Sequence, residues 1–301
     1  MNLSDLSKQG WHRTAIAGAL LGGLFAGALC WMLSATTPWL AALLGFVVGA
    51  SLFALLITLV GSVNVKLNNI LRRVNESENE LQSMINVRPL VDDILLQYGG
   101  WAMDAHLAET IARLLLQKRP QFVVECGSGS STLLMASCLK RMNGHQRLVA
   151  LDHEPKYASI TRDMLEQQDL DDWAEVRTVP LEPWKIKGQE LPWYGLDLET
   201  LPDQSIDLLI VDGPPGMGST AARYPAVPVL QQHLSDECII VLDDGDRADE
   251  HEAAHRWAED LNADLEYAGG AKGTWILRRK KKRPVLLGRV KLKRKLQVHP
   301  Q

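Results

Sequence analysis

Charge is missing from two long stretches of this chain. Residues 15–33 and 39–61 contain no Asp, Glu, Lys or Arg. At 1.5 Å rise per residue such runs suit a hydrocarbon layer of roughly 30 Å, and they exclude ordinary half-exposed helices. A small-x-small cleavage pattern ahead of a polar mature start is also lacking, which excludes a removable signal peptide. The turn at 34–38 carries no charge either, whereas Lys8 and Arg13 precede the first run and Lys66, Arg72 and Arg73 follow the second. Basic flanks mark the cytoplasmic side. The expectation is a two-helix transmembrane hairpin at 15–61, multi-pass in the cell inner membrane. Residues 1–14 and everything after the hairpin would be cytoplasmic.

Cysteine is scarce as well. Cys30, Cys126, Cys138 and Cys238 have no metal-ligand spacing and fall mostly in apolar segments. That excludes a zinc or disulfide scaffold and predicts buried free thiols in a reducing compartment. Acid is absent from residues 278–295, which hold eleven Lys or Arg; the remainder has 21 basic against 36 acidic side chains. A body of that sign would repel nucleic acid, so nucleic acid is not the expected partner. The basic tail at 280–301 is expected to lie on anionic inner-leaflet lipids, each basic residue contributing on the order of 1 kcal/mol.

Between Val65 and Ile85 the apolar positions adopt helical spacing, with Leu67, Val74 and Leu81 repeating every seven residues. This predicts a juxtamembrane amphipathic helix at 62–88, which either pairs with a second copy as a homodimer or lies on its own soluble domain. Pro89 breaks the pattern, and the soluble domain is expected over 89–279.

The stretch Phe122-Val-Val-Glu-Cys-Gly-Ser-Gly-Ser-Ser-Thr132 organises that domain. An apolar run ends at Glu125, Gly127 and Gly129 permit a close turn, and a helical pattern opens at Ser130–Ser131. This is how a first strand feeds a ligand-cradling loop and a helix N-terminus. A third glycine at position 132 is missing; Thr132 stands there, which disfavours a nicotinamide or flavin dinucleotide. Twenty-five residues after Gly127 a second strand-like run ends at Asp152, an acid that can accept hydrogen bonds from both ribose hydroxyls.

Helices are expected at 102–117, 130–141, 156–168, 220–234 and 248–262. Strands are expected at 121–126, 147–152, 174–179, 206–212 and 238–243, with a closing antiparallel hairpin at 265–268 and 274–279. Residues 180–204, with Trp184, Trp193 and Tyr194, show no clean period and are expected to form a long loop over the crevice. The alternation gives an α/β fold with a Rossmann-like, mostly parallel seven-stranded sheet and helices on both faces. Glu125, Asp152, Asp212, Asp243 and Asp244 all fall at strand carboxyl ends, where ligands bind in such sheets.

From about residue 90 to 280 the chain resembles class I S-adenosylmethionine-dependent methyltransferases. The resemblance rests on "VVECGSGSST", "RLVALDHEPKYASITRDML" and "IDLLIVDGPPG". Within that superfamily "VDGPPG", "ARYPAVPVL" and "IIVLDDGDRADE" are similar to bacterial small-molecule or saccharide methyltransferases. The resemblance implies that Gly127 and Gly129 abut the methionine part of S-adenosyl-L-methionine, Glu125 orients the loop and Asp152 holds the ribose. Ser128, Ser131, His153 and Asp212 complete the expected cofactor set. The strand ends also look like those of catechol-type O-methyltransferases, in which matching positions hold magnesium. That would make Asp212, Asp243 and Asp244 ligands for Mg2+ or Mn2+. The lysine which that family places three residues after its first aspartate is absent, since Gly213, Pro214 and Pro215 follow Asp212. A metal-free role for Asp212, as base or substrate orienter, therefore stands beside the metal reading. His106 and Tyr224 are further catalytic candidates; Arg223 and Arg247 either bind an anionic substrate or pair with Asp243 and Glu250. The function expected is a membrane-anchored enzyme methylating an oxygen of a small-molecule, saccharide or lipid-linked acceptor. A methyltransferase-like scaffold without turnover is the alternative.

Overall fold

The computed structural model describes residues 22–29, 31–32, 37–91, 94–100, 102–216 and 221–280. The expected cytoplasmic N-terminus (1–14), the turn at 34–36 and all but the first residue of the basic tail lie outside them. Contact between residues divides the chain into two units, one ending at Asn75 and one beginning at Glu76.

Helix α1 (Pro38–Val87) is unbroken. The expected second span and the expected juxtamembrane helix are therefore one element: no proline falls between residues 39 and 87, and the helix carries the Gly61-Ser62 step without a break, Ser62 Oγ donating to Leu59 O at 2.8 Å. One helix among the described residues is long and apolar enough to cross a membrane, with a window of mean hydropathy 2.6. The two-helix hairpin is thus not borne out, and neither is the two-span inner-membrane placement that rests on it. Of the first apolar run only residues 22–29 and 31–32 are described as helical.

The second unit is built on a seven-stranded sheet in the order β3-β2-β1-β6-β7-β9-β8. The strands are β1 (Phe122–Cys126), β2 (Arg147–Asp152), β3 (Ala174–Thr178), β6 (Ile206–Val211), β7 (Leu234–Leu242), β8 (Ala263–Gly269) and β9 (Thr274–Arg279). Strands β1, β2, β3, β6 and β7 are mutually parallel, and β9 runs antiparallel between β7 and β8. Every residue of β1 is buried, as expected of a central parallel strand covered on both faces.

One face packs under α2 (Ala105–Lys118), α3 (Ser130–Met142) and α4 (Pro155–Gln167), through Leu107, Ile111, Leu134 and Leu165. Val87, at the end of α1, joins this layer. The other face packs under α5 (Ala226–Leu230), α6 (Ala248–Leu261) and a β-hairpin, through Val227, Trp257 and Trp193.

That hairpin, β4 (Leu181–Ile186) and β5 (Gln189–Tyr194), occupies the segment expected to be a loop. Pro183 lies opposite Pro192 in its register. A pair of prolines reads as non-strand, yet a two-stranded sheet has two free edges where a missing N–H costs nothing. Lys187 and Gly188 turn the hairpin with φ of 49° and 85°, the left-handed pair that suits right-twisted strands. The helix expected at 220–234 is also shorter, since α5 covers only Ala226–Leu230.

Asp104 ties three elements together at the open end of the sheet. Its buried carboxylate accepts from Leu107 N–H at 2.7 Å, capping α2, and from Ala271 N–H at 2.9 Å and Lys272 N–H at 3.3 Å in the β8–β9 turn. Replacing Asp104 with Ala removes a helix cap and orphans amides in the turn, so it should cost about 1.5–3 kcal/mol of stability. Denaturant unfolding of the full chain checks this; a change within a few tenths of a kcal/mol would show that water substitutes for the carboxylate.

Candidate functional site

The chain leaves β1 toward β2 on one side of the sheet and later enters β6 on the other. The crevice at this reversal opens beyond the carboxyl ends of β1 and β6, where ligands of open α/β sheets sit. Gly127 lies there, its N–H donating to Leu151 O at 2.8 Å, with φ of 110°. A Cβ on it would face the Asp212 and Gly213 backbone at 3.5 and 3.6 Å. Gly129 has φ of 153°, outside the range side chains tolerate well.

Below the loop, fully buried Glu125 accepts hydrogen bonds from Ser131 Oγ and, at 2.6 Å, from Thr132 Oγ1. Thr132 Oγ1 in turn accepts from Gly129 N–H at 3.0 Å. The threonine that replaces a third glycine therefore stitches the loop to the carboxylate beneath it. Burial pushes Glu125 up to about 7, against the two hydroxyls that favour its charge.

At the end of β2, Asp152 accepts from Ser128 Oγ at 2.6 Å and from Glu154 N–H at 2.9 Å. Each carboxylate oxygen keeps a further acceptor direction. His153 Nδ1 stands 3.9 Å from Asp152, and its ring meets Tyr194 edge-on at 6.5 Å. The Tyr194 hydroxyl is buried without a hydrogen-bond partner among the described residues. A Cβ at Gly213 would fall 2.7 Å from that hydroxyl and 3.2 Å from Gly127 Cα, so glycine is required where the three meet. Burial, then the thiol of Cys126 and the charge of Asp152, raise the Tyr194 pKa well above its ordinary value, keeping it a neutral donor.

Beyond β6 and β7 the acids gather. One oxygen each from Asp212, Asp243 and Asp244 lies within 4.8 Å of the others. Arg223, which sequence reasoning left between substrate binding and ion pairing, is buried among them. It donates to Asp244 at 2.6 Å, to Asp212 at 3.2 Å and to the Asp243 carbonyl at 2.8 Å, and stands 3.7 Å from Glu250. Arg247 adds a contact to Asp244 at 2.8 Å. Burial disfavours the Arg223 charge, but Asp212, Asp244 and Glu250 outweigh it and hold its pKa above the usual value. Asp212 is pushed up to about 6 by burial, with Arg223 opposing. Among the described residues Asp243 has no hydrogen-bond partner on either oxygen, and burial together with Asp212 and Asp244 lifts it to about 8.

The other catalytic candidates lie apart from this cluster's contacts. His106 Nε2 donates to Ala268 O at 2.7 Å and ties α2 to β8. Tyr224 is buried in the layer under α6, with the Arg256 guanidinium 4.0 Å over its ring and its carbonyl accepting from Trp257.

The residues fit S-adenosylmethionine: a glycine loop at the reversal, a carboxylate with spare acceptor directions, and an unpartnered hydroxyl between them. They also offer a hard dication an all-oxygen donor set with one orphaned carboxylate, although Arg223 already serves two of the three acids.

Residues 124–245 match the family model described as a methyltransferase domain. Among solved structures the chain is similar to an O-methyltransferase from Bacillus cereus in complex with SAH, at 17% identity and TM-score 0.44, over 67% of this chain and 90% of that one. It is also similar to a methyltransferase from Geobacter sulfurreducens, at 17% identity and TM-score 0.41, over 57% and 77%. An O-methyltransferase from Streptomyces achromogenes involved in tomaymycin synthesis, in complex with SAM, is similar at 18% identity and TM-score 0.43, over 60% and 82%. Among curated proteins none matches.

The raised carboxylates set a pH dependence of stability. Unfolded, these acids titrate near 4, whereas folded Asp212, Glu125 and Asp243 do so at about 6, 7 and 8. Between those limits the folded state binds more protons, so stability is highest at the acid end and falls as pH rises through 6 to 8. Asp243→Asn, which cannot ionise, should flatten the upper part of this fall. Thermal melts of the two proteins between about pH 5 and 9 read it out, and identical slopes would remove Asp243 from the account.

Proposed function

We propose that this chain, an S-adenosylmethionine-dependent methyltransferase by its domain at residues 124–245, is held at a membrane by α1 and methylates an oxygen of a small-molecule, saccharide or lipid-linked acceptor. The observation that carries this reading is coincidence. The matched segment begins inside β1 and ends at Gly245, so it contains both loop glycines, Asp152 and the whole acid cluster. Bound there, S-adenosylmethionine supplies an electrophilic methyl group on its sulfonium.

The chain's own residues have three tasks. Gly127 and Gly129 let backbone come close to the cofactor, and the start of α3 presents free N–H groups beside it. Asp152 accepts from the ribose hydroxyls, and Tyr194 donates to a cofactor or acceptor oxygen nearby. Asp212 takes the proton from the acceptor hydroxyl as the methyl bond forms. A carboxylate raised to about 6 is a better base near neutrality than an ordinary one, and Arg223 holds it in place. The orphaned oxygens of Asp243 support a second reading, in which Mg2+ or Mn2+ on Asp212, Asp243 and Asp244 orients the acceptor oxygen.

Calorimetry on the full chain tests the cofactor. S-adenosylmethionine and its demethylated product should each bind saturably, and Asp152→Ala should weaken both by roughly 1.5–3 kcal/mol, since the lost acceptor is charged. Binding of NAD alone, or an unchanged dissociation constant in a folded Asp152→Ala protein, would reject the reading.

Membrane attachment is supported by the composition of α1 and by the exposure of its apolar side chains, among them Phe46 (75%), Phe53 (65%) and Leu56 (56%). Water cannot cover such a helix cheaply. The full chain should float with lipid vesicles in a density gradient. Phe53→Lys with Leu56→Lys should abolish flotation, because each charge at a helix centre costs about 2.5–3.5 kcal/mol in the bilayer. Flotation that survives both changes would place the attachment elsewhere.

A further inference from the structure

We propose that His251 and His255, on the outer face of α6, form a two-imidazole site for a borderline divalent transition metal such as Cu2+, Ni2+ or Zn2+. The site is separate from the acid cluster and does not rest on the proposed function. Side chains four residues apart on a helix stand one above the other, and here both rings are exposed with centroids 4.3 Å apart at a tilt of 34°.

The state of one ring follows from a hydrogen bond. His255 Nδ1 lies 2.8 Å from the carbonyl of His251. A carbonyl only accepts, so Nδ1 carries the proton. In the neutral ring Nε2 is then bare, with its lone pair directed away from the bonded carbonyl. A metal-ligating histidine takes this form, its second nitrogen bonded to a carbonyl or carboxylate that orients the ring.

The pair is also wedged. The Trp275 indole packs edge-on against His251 at 5.3 Å and against His255 at 5.2 Å. Trp275 is fixed in turn by its Nε1–H, which donates to Gly245 O at 3.1 Å, and by the Tyr267 ring at 4.9 Å. Rings held this way lose less freedom on binding an ion than two unsupported surface histidines would. Two protein nitrogens leave the remaining coordination positions to water.

Ligand chemistry separates the two sites. Imidazole suits Cu, Ni and Zn, whereas an all-carboxylate cluster suits Mg and Mn. The test uses tag-free full chain, titrated with Cu2+ by calorimetry and followed by electron paramagnetic resonance, with excess Mg2+ present to fill the acid cluster. One tight site with a two-nitrogen signature is expected. His251→Ala and His255→Ala should each weaken it by at least about tenfold, the size of effect that outer-shell partners alone can have on metal affinity. Asp243→Asn should leave it in place. Both histidines are exposed, so the variants should keep the parent's circular dichroism. The absence of a tight site, or one that survives either histidine replacement, or one lost in Asp243→Asn, would overturn the proposal.

Discussion

A single buried guanidinium, that of Arg223, holds the carboxyl end of the sheet together. Parallel strands deliver Asp212, Asp243 and Asp244 to one place, and Glu250 joins them from the first turn of α6. Several carboxylates assembled out of water repel one another and cost several kcal/mol each unless a cation compensates. Arg223 bonds to two of them and to the backbone of the third, and its charge is reinforced by the acids it stabilises. Asp243 is the member the guanidinium does not reach by side chain. Burial together with Asp212 and Asp244 raises its pKa to about 8, and protonation there relieves the repulsion that the guanidinium leaves uncompensated.

The opposite half of the crevice is organised on other lines. Around β1 and β2 the fixed groups are hydroxyls and amides: Ser128 on Asp152, Ser131 and Thr132 on Glu125, Gly129 N–H on Thr132. A glycine at position 132 would free the turn but would cut the link between loop and carboxylate. The absence that argues against a dinucleotide in the sequence is, in three dimensions, a positive device that holds the loop.

Legibility from sequence followed the local strength of each signal. The parallel strands were readable because burial on both faces makes each a short apolar run, and four of them end in acids. Their convergence followed from topology. The β4–β5 hairpin was not readable: Pro183 and Pro192 argue against strand, and only their cross-strand pairing makes them harmless. Pairing of Arg223 with Asp243 and Glu250 was readable only as one of two alternatives, and its bonds to Asp212 and Asp244 were not, since its partners lie at least 11 positions away along the chain. Tyr194 sat in a segment without period, so nothing local pointed its hydroxyl at the loops after β1 and β6. The amino end misled in the other direction. Two uncharged runs read as two spans, yet one described helix has the length for a span, and it continues through residue 62 without a break.

These two halves differ in what fixes them. Around Asp152 and Glu125 the positions are set by short hydroxyl and amide contacts, while the buried charge of Glu125 still reaches Asp152 and Asp212. The acid cluster behaves otherwise, because its members share one guanidinium and respond together to any change of charge. Tyr194 and Gly213 sit where the halves meet. The hydroxyl there is neutral and without a partner among the described residues, and the missing Cβ at Gly213 is what leaves it room. A ligand reaching that point contacts a geometric half and an electrostatic half at once. The chain thereby joins a hydrogen-bonded glycine loop to a carboxylate cluster, with titrating acids on both sides of the junction.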